Sequence, residues 1–344
     1  MKKNPDTKSQ NSGDTMASSR KKDHLTLAFD SKVESYAVDK RFYYEPMLAA
    51  HPENEDLSIQ FLERTFKAPM WISSMTGGTE KAKWINQRLA QACGEFGLGM
   101  GLGSCRQLLH DDTYLDDFLV RKWVGEQPLY ANLGIAQIEQ LVHDHQMHKV
   151  NDLLQKLEAN GLIIHVNPTQ EWVQPEGDRL VHKPIETIKR VLDHLPHKII
   201  VKEVGQGFGP QSLQALMELP LAAIDFGAVG GTNFALLESL RHSGTEINQG
   251  ALSFIGHTYS EMIQWANTIK ENSEKVACKE FIISGGISSF LDGYYAIETM
   301  HFKAIYGQGA GFLKPALESY ETLQLYIESQ IKGLSFAKQF LKVR

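Results

Sequence analysis

The chain has 344 residues, 42% of them apolar and 9% aromatic, which is enough to bury a large core. A net charge of −6 and a pI near 6.1 argue against general affinity for nucleic acid, whose phosphates need a basic surface. Cys93, Cys105 and Cys278 lie far apart without a Cys-x-x-Cys pair, so neither a zinc ribbon nor a disulfide framework is indicated. No apolar run follows Lys2 and Lys3 or reaches the length of a membrane span, so we expect a cytoplasmic protein without membrane contact.

The N-terminal residues 1–18 are rich in polar side chains and have almost nothing to bury, so we expect a disordered tail there. Residues 19–344 are expected to form one barrel domain that carries an N-terminal segment. That segment opens with the basic cluster Arg20-Lys21-Lys22-Asp23-His24. Both a solvated basic face and a phosphate clamp are compatible with this cluster.

Short β-rich runs alternate with helical patterns from residue 70 onward, as in a barrel or a doubly wound sheet. Eight such runs close a barrel more naturally than an open sheet, so the expected fold is an α/β (β/α)8 TIM barrel. The longest gap, from Gly227 to Glu280, predicts an extra loop around Asn248-Gln249-Gly250. The predicted strands are Trp71–Met75, Gly99–Ser104, Leu129–Leu133, Leu162–Asn167, Lys198–Lys202, Ala223–Phe226, Phe281–Ser284 and Ala304–Gly307.

Small and polar residues follow the first three predicted strands. Ser74-Met75-Thr76-Gly77-Gly78 could lie against a flat cofactor, but a tight turn explains the segment as well. The glycines between Gly97 and Gly103 precede Ser104-Cys105-Arg106, where a hydroxyl and a guanidinium suit phosphate and Cys105 fills space. Packing of a glycine-rich strand is an equal alternative. Asn132 could bond the edge of a ring or cap its own strand.

The later strand ends carry one cation and several glycine clusters. Lys202 ends an apolar strand, where a buried unpaired ammonium would cost several kcal/mol, so it needs an anionic partner. Glu203 does not suit that role because neighbouring strand residues point to opposite faces, and we expect a ligand contact. Gly230-Gly231-Thr232 exposes N–H groups that can hold an anion. Ser284–Ser288 and Gly307–Gly311 occupy the usual phosphate position of such barrels.

The most polar strand exit is His165-Val-Asn167-Pro-Thr-Gln170-Glu171, directly after an apolar run. A turn here could aim Gln170 and Glu171 at one ligand, and a carboxylate with spare coordination positions suits Mg²⁺. His165 could hold a phosphate, move a proton or serve only as a structural residue. The following Glu176-Gly177-Asp178-Arg179 could equally form a turn with a local ion pair.

Taken together, these motifs resemble the type II isopentenyl-diphosphate isomerases over most of residues 19–320. The most specific part is His165-x-Asn167-x-x-Gln170-Glu171 followed by Gln174-Pro-Glu-Gly-Asp178. The resemblance implies an FMN-dependent barrel that interconverts isopentenyl and dimethylallyl diphosphate by a 1,3 proton shift. Mg²⁺ is implied as a second cofactor, and NADPH as the reductant of the flavin. The other matching motifs are Arg20-Lys21-x-x-His24, Ser74–Gly78, Gly103-Ser104-x-Arg106, Asn132–Gly134, Val201–Gly205, Gly230–Phe234 and Ser284–Ile287.

The resemblance also assigns residue roles. Reduced FMN is implied as the main acid and base, with Gln170 and His165 in the catalytic group and Glu171 on Mg²⁺. Lys202 would stabilise the anionic reduced flavin. The prenyl diphosphate would contact Arg20, Lys21, Ser104, Arg106, His165, Asn167 and Gln170. FMN would contact Ser74, Met75, Thr76, Ser104, Asn132, Lys202, Gly227, Thr232, Gly285, Gly286, Ile287, Ala310 and Gly311. A homotetramer is implied as well, although no segment of the sequence identifies an interface.

Three positions depart from the pattern of the family. Cys105 replaces a usual Gln, Gly227 stands where a small hydroxyl residue often contacts flavin, and Phe254–Thr258 is unlike the usual Trp-Gly-Ile-Pro-Thr. One alternative is an FMN-dependent oxidase or dehydrogenase of 2-hydroxy acids, but Gly285 to Ser288 lacks the Arg that would bind the carboxylate. The other is a non-catalytic flavin- or prenyl-diphosphate-binding protein, which would not retain the metal and basic groups.

Overall fold

The structure is a computed structural model that describes residues 12–53, 55–74, 76–77, 81–241 and 250–344, with the backbone alone for 12–19. The described residues up to Tyr43, with Arg344, form one compact unit, and the described residues from Tyr44 to Val343 form a second. The first unit contains helix α1 (Ser12–Leu27) and the 3-10 helix Ser35–Ala37. Helix α1 begins within the segment predicted to be a disordered tail, whose residues 1–11 lie outside the described part of the chain. The boundary between the two units lies after Tyr43 in the sequence.

The second unit is built on a closed barrel of eight parallel strands. Strands adjacent in sequence are adjacent in the barrel, and the last strand pairs with the first through Gly307 and Trp71. This confirms the predicted TIM barrel and each of its strands to within a few residues. The strands are β1 (Met70–Ile72), β2 (Gly99–Gly101), β3 (Leu129–Gly134), β4 (Gly161–Val166), β5 (Lys198–Glu203), β6 (Ala223–Asp225), β7 (Glu280–Ser284) and β8 (Lys303–Gln308).

Helices surround the barrel, and none in the described residues is long and apolar enough to cross a membrane. The predicted extra loop between β6 and β7 contains two of these helices, while residues 242–249, including Asn248 and Gln249, lie outside the description. The helices are α2 (Ala82–Phe96), α3 (Arg121–Val124), α4 (Ile135–His143), α5 (His148–Lys156), α6 (Pro168–Val173), α7 (Pro184–His194), α8 (Pro210–Met217), α9 (Phe234–Arg241), α10 (Tyr259–Asn272), α11 (Phe290–Thr299), α12 (Ala310–Glu318) and α13 (Tyr320–Phe340). Shorter elements are the 3-10 helices Arg106–Leu109, Leu115–Asp117 and Gly250–Phe254 and the strands Phe42–Tyr44 and Leu341–Val343.

A hairpin closes the end of the barrel at which the strands begin. Its strands, Ile59–Phe61 and Arg64–Phe66, are antiparallel, and Phe61 and Phe66 are fully buried against Trp71, whose side chain belongs to the same core cluster. The turn residue Leu62 donates its N–H to Glu280 at 2.7 Å, which ties the hairpin to the start of β7. Among the described residues, apolar side chains fill this end, so the carboxyl ends of the strands are where a ligand would enter.

Candidate active site

A cavity of about 710 Å³ opens at the carboxyl ends of the barrel strands. Its volume is in the range that holds a cofactor or a small substrate. Seven of the strands contribute lining residues from their exits. The remaining strand, β6, contributes through the loop that follows it. The predicted site residues in the lining are Ser74, Ser104, Asn132, His165, Gln170, Lys202, Gly227, Thr232, Gly285, Gly286, Ile287, Ala310 and Gly311.

The loops after β6 and β7 approach each other so closely that only glycine fits between them. Gly285 has φ +85°, and a Cβ atom there would lie 2.0 Å from the carbonyl oxygen of Ala228. At Gly230, with φ +99°, a Cβ atom would lie 2.8 Å from the Cα of Gly286. Helix α12 begins beside these loops, so backbone N–H groups and a helix N-terminus face the same part of the cavity. This arrangement suits a phosphate group.

Two serines after β1, Ser73 and Ser74, line the cavity. Their Oγ atoms are buried and have no hydrogen-bond partner among the described residues. A buried hydroxyl without a partner costs free energy, so these groups fit a polar ligand that would bond to them. Gly103 keeps the neighbouring strand exit close, since a Cβ atom there would lie 2.1 Å from the carbonyl oxygen of Thr76.

His165 is held in one tautomer by its neighbour on β3. The side-chain amide of Asn132 donates to the Leu102 carbonyl at 3.1 Å, so the Asn132 oxygen faces Nδ1 of His165 at 2.8 Å. That oxygen can only accept, so Nδ1 carries the proton and Nε2 is left with a free lone pair. Burial, and secondarily the charge of Lys202, lowers the pKa of His165 from 6.5 to about 4. His165 therefore meets a ligand as a neutral hydrogen-bond acceptor rather than as a phosphate-binding cation.

The protonation of His165 has an expected effect on stability. The folded state binds fewer protons than the unfolded state between the two pKa values, so the free energy of unfolding should fall as the pH drops from about 6.5 towards 4. We expect His165→Gln to remove on the order of 2 kcal/mol of this fall. Chemical denaturation of both proteins at pH 7 and pH 5 measures the difference. If the free energy of unfolding falls equally between pH 7 and pH 5 in the two proteins, the pKa of His165 is not lowered in the folded state.

The anionic partner of Lys202 is Asp225 on the adjacent strand. The two residues are register neighbours in the β5–β6 pairing, and Lys202 Nζ lies 4.0 Å from Asp225 Oδ2. Lys202 also donates to the backbone oxygen of Glu203 at 2.6 Å. The Glu203 carboxylate points to the other side, where it accepts the N–H groups of Gly205, Gln206 and Gly207. The prediction that Glu203 does not pair with Lys202 is thus correct, and Lys202 both lines the cavity and faces a buried carboxylate.

Glu171 is buried in α6, in a hydrogen-bond network with the exit of β4. Its Oε1 accepts from Asn167 Nδ2 at 3.0 Å, and its Oε2 accepts from the Asp178 N–H at 2.8 Å. Asn167 also donates to Gln170 Oε1 at 3.0 Å, which orients Gln170 towards the cavity. The Asn167 Oδ1 atom is buried and accepts no hydrogen bond from the described residues. Carboxylate and amide oxygens thus cluster here, as a hard cation requires.

Asp178 connects the Glu171 network to the predicted phosphate-binding arginine. Arg106 Nη1 lies 2.9 Å from Asp178 Oδ2, and Gln137 donates to the same oxygen at 2.9 Å. Gln137 in turn accepts the Gly134 N–H at the end of β3. The sequence placed Asp178 in a family motif and in a possible turn with a local ion pair. In the structure it joins the exits of β2, β3 and β4, a contact between distant segments that no local pattern reveals.

Several predicted residues do not line the cavity. The Thr76 hydroxyl donates to Asn86 at 2.7 Å instead of facing the cavity, and Met75 lies outside the described residues. Arg20 and Lys21 are exposed on α1 in the first unit. Cys105 is buried, and burial raises its pKa to about 12, which fits its predicted space-filling role. The other two cysteines are buried and free as well.

Two contributions to the cavity were missed in the sequence. The sequence singled out Ser74 but not its neighbour Ser73, which also lines the cavity. It also missed Gln308, because this residue lies at the end of β8 among the glycines of Gly307–Gly311. Gln308 donates to the Ile287 carbonyl at 3.0 Å and accepts from Tyr326 at 2.7 Å, so it fixes the loop after β7. Gly227, which departs from the family pattern, has φ +53°, and a Cβ atom there would lie 1.9 Å from the Glu203 carbonyl oxygen. A hydroxyl side chain therefore does not fit this backbone.

The fold and the cavity define an α/β-barrel enzyme with its site at the carboxyl ends of the strands. The flavin-binding domain of baker's yeast flavocytochrome b2 has the same fold, with a TM-score of 0.58 at 12% identity, covering 86% of this chain and 71% of that one. A mandelate oxidase variant with a monooxide FMN adduct aligns with a TM-score of 0.54 at 12% identity over 89% of each chain. At this identity the similarity shows the fold alone.

Sequence relatives identify the family. The isopentenyl-diphosphate delta-isomerase of Rickettsia peacockii (strain Rustic) is 33% identical over 317 residues, and that of Rickettsia typhi (strain ATCC VR-144 / Wilmington) is 34% identical over 319 residues. Both alignments cover 90% of this chain and 90% of the relative. No family model matches the sequence. The chain belongs to the isopentenyl-diphosphate delta-isomerase family, which confirms the resemblance and the prediction of an isomerase.

Proposed function

We propose that this chain interconverts isopentenyl diphosphate and dimethylallyl diphosphate as a type II enzyme, with reduced FMN and Mg²⁺. The observation that supports this most directly is the composition of the barrel cavity. Serines whose hydroxyls have no partner among the described residues, Lys202, Gln170 and a glycine-lined phosphate cradle occur together in its lining.

The cavity residues fit FMN in two respects. The glycine cradle around Gly285 and the start of α12 would hold the FMN phosphate. Ser74, Asn132 and Thr232 would contact the remainder of the FMN molecule. When bound, reduced flavin would supply the proton donor and acceptor for the allylic shift. Lys202 would place a positive charge beside the cofactor, and neutral His165 would accept a hydrogen bond at Nε2.

Mg²⁺ would be held by Glu171, with the substrate and water completing its coordination. The described residues contain no group of three or more His, Cys, Asp or Glu side chains placed to hold a metal ion. A site with a single carboxylate is the kind that Mg²⁺ uses with phosphate substrates, because it keeps waters and bridges to phosphate oxygens. Asn167 donates to Glu171 through Nδ2, and its Oδ1, which accepts no hydrogen bond from the described residues, supports an additional oxygen ligand or a bound water.

The diphosphate would be bound by Ser104 and Arg106. Arg106 is half exposed and already oriented by Asp178, so its guanidinium is positioned before the substrate arrives. Gln170 would lie beside the carbon skeleton, with its side-chain oxygen fixed by Asn167. Precise placement of this kind matters because the reacting alkene has no charge of its own to direct it.

The remaining proposals concern the protein in the cell. We propose NADPH as the reductant of the flavin, a cytoplasmic location and a homotetramer. Exposed apolar side chains in the second unit, such as Trp172, Leu240 and Phe254, support self-association. Oxidation of 2-hydroxy acids is disfavoured, because the described lining contains Lys202 as a cation but no arginine for a carboxylate.

An anaerobic assay tests the proposed function. Purified protein is incubated with isopentenyl diphosphate, FMN, Mg²⁺ and NADPH, and dimethylallyl diphosphate is followed, with oxidised FMN as the control. We expect product only when the flavin is reduced. Product without flavin, or bound reduced flavin without any product, would contradict the proposal.

A further inference from the structure

Asp225 is a fully buried carboxylate to which the reaction, as proposed above, gives no role. It is the last residue of β6, and its side chain is completely withdrawn from solvent. Burial raises its pKa, while the charge of Lys202 and the hydrogen bond from Ser284 act in the opposite direction. A buried carboxylate is costly unless its charge is paired, so its surroundings should indicate what it pairs with.

Asp225 is oriented by a directed chain of hydrogen bonds. The Gly227 N–H donates to the Ser284 hydroxyl at 3.0 Å, so the proton of that hydroxyl is free to point away from Gly227. It donates to Oδ1 of Asp225. The second oxygen, Oδ2, has no hydrogen-bond partner among the described residues, and it lies 4.0 Å from the Lys202 ammonium. The chain therefore fixes one oxygen and leaves the other facing Lys202.

Lys202 stands between this carboxylate and the cavity. Its ammonium group has three N–H donors, of which one bonds to the Glu203 carbonyl at 2.6 Å. The side chain is 12% exposed, so water screens its charge only weakly. The net positive potential in the cavity consequently depends on how far Asp225 offsets this one ammonium.

We propose that Asp225 is a positioning residue that fixes the Lys202 ammonium and limits how much of its charge reaches the cavity, and thereby sets the reduction potential of bound flavin. This inference rests on the proposed function, because it requires FMN in the cavity. If Asp225 offsets part of the Lys202 charge, the cavity stabilises the reduced, anionic flavin less strongly. Its electrons and proton then remain available. Ser284, which also lines the cavity, contributes through the orientation of Asp225.

The test is the midpoint potential of protein-bound FMN, measured by anaerobic spectroelectrochemistry in the full-length chain. Asp225→Asn removes the negative charge but keeps the size of the side chain. We expect about a tenfold shift of binding in favour of reduced over oxidised FMN, which is about 30 mV for this two-electron couple. Glu280→Gln is the matched control: it neutralises a carboxylate paired with Lys303 at the opposite end of the barrel, and the potential should not change.

Ser284→Ala provides a second variant if Asp225→Asn does not fold. It leaves the charge but removes the hydrogen bond that orients Asp225, so a smaller rise in potential is expected. An unchanged or lower potential in the folded variant would overturn the inference, since a merely structural Asp225 would affect stability alone. Failure of the unmodified protein to bind FMN would instead overturn the proposed function together with this inference.

Discussion

Replacing Glu171 with Gln is expected to reduce Mg²⁺-dependent turnover by at least about 100-fold, since even outer partners of a bound metal contribute 10- to 100-fold. The neutral amide can accept only one of the two hydrogen bonds that the carboxylate accepts, from Asn167 and from the Asp178 N–H, so some stability is lost while the fold should be retained. FMN binding should remain unchanged because Glu171 does not line the cavity. The measurements are turnover as a function of Mg²⁺ concentration and the flavin content of the purified protein.

Glu139→Gln is a suitable control for this change. Glu139 accepts the N–H groups of Val181 and His182, so it is also a carboxylate that holds a loop, but it has no part in the proposed metal site. Its replacement should leave the Mg²⁺ dependence unaltered. Full activity of the Glu171 variant at ordinary Mg²⁺ concentrations would remove the metal-binding role of Glu171.

Gly285→Ala is expected to abolish FMN binding and to lower the free energy of unfolding by about 3 kcal/mol or more. The added methyl group would lie 2.0 Å from the Ala228 oxygen, in a backbone conformation with φ +85°. To relieve the collision, the loops after β6 and β7 must separate, which opens the phosphate cradle. Flavin absorbance after gel filtration and chemical denaturation measure the two effects.

A substitution at a second glycine, Gly125, tests the effect of backbone strain without a steric collision. Gly125 also has a positive φ, +63°, but a Cβ atom there would meet nothing within 4 Å. Gly125→Ala should therefore cost only about 1 kcal/mol and leave flavin binding intact. Equal losses in both variants would mean that strain alone, and not the closed cradle, explains the effect at Gly285.

The sequence predicted the barrel well because its signal is local. Each strand is a short apolar run such as Leu162–Ile164 that turns polar at its carboxyl end, and parallel strands must present those ends on one face. Most of the candidate FMN residues therefore line one cavity, as expected. The hairpin that closes the other end was missed, since its apolar residues Phe61 and Phe66 are separated by a turn of Leu62 and Glu63, without glycine.

The partners of the charged groups could not be predicted in the same way. The anion near Lys202 is Asp225, on the next strand, and the partner of Arg106 is Asp178, far along the chain. The tautomer of His165 likewise depends on which way the Asn132 amide is turned. Such pairings depend on strand register and loop contacts between segments that are distant in sequence.

By itself, then, the sequence determined the barrel, the face that carries the site and the family, because periodicity and motif spacing are properties of the chain alone. The tertiary structure decided which charges are paired, which hydroxyls lack partners and where only glycine fits. Those properties arise from distances of a few ångströms between different strands, and electrostatic and steric energies change steeply over such distances.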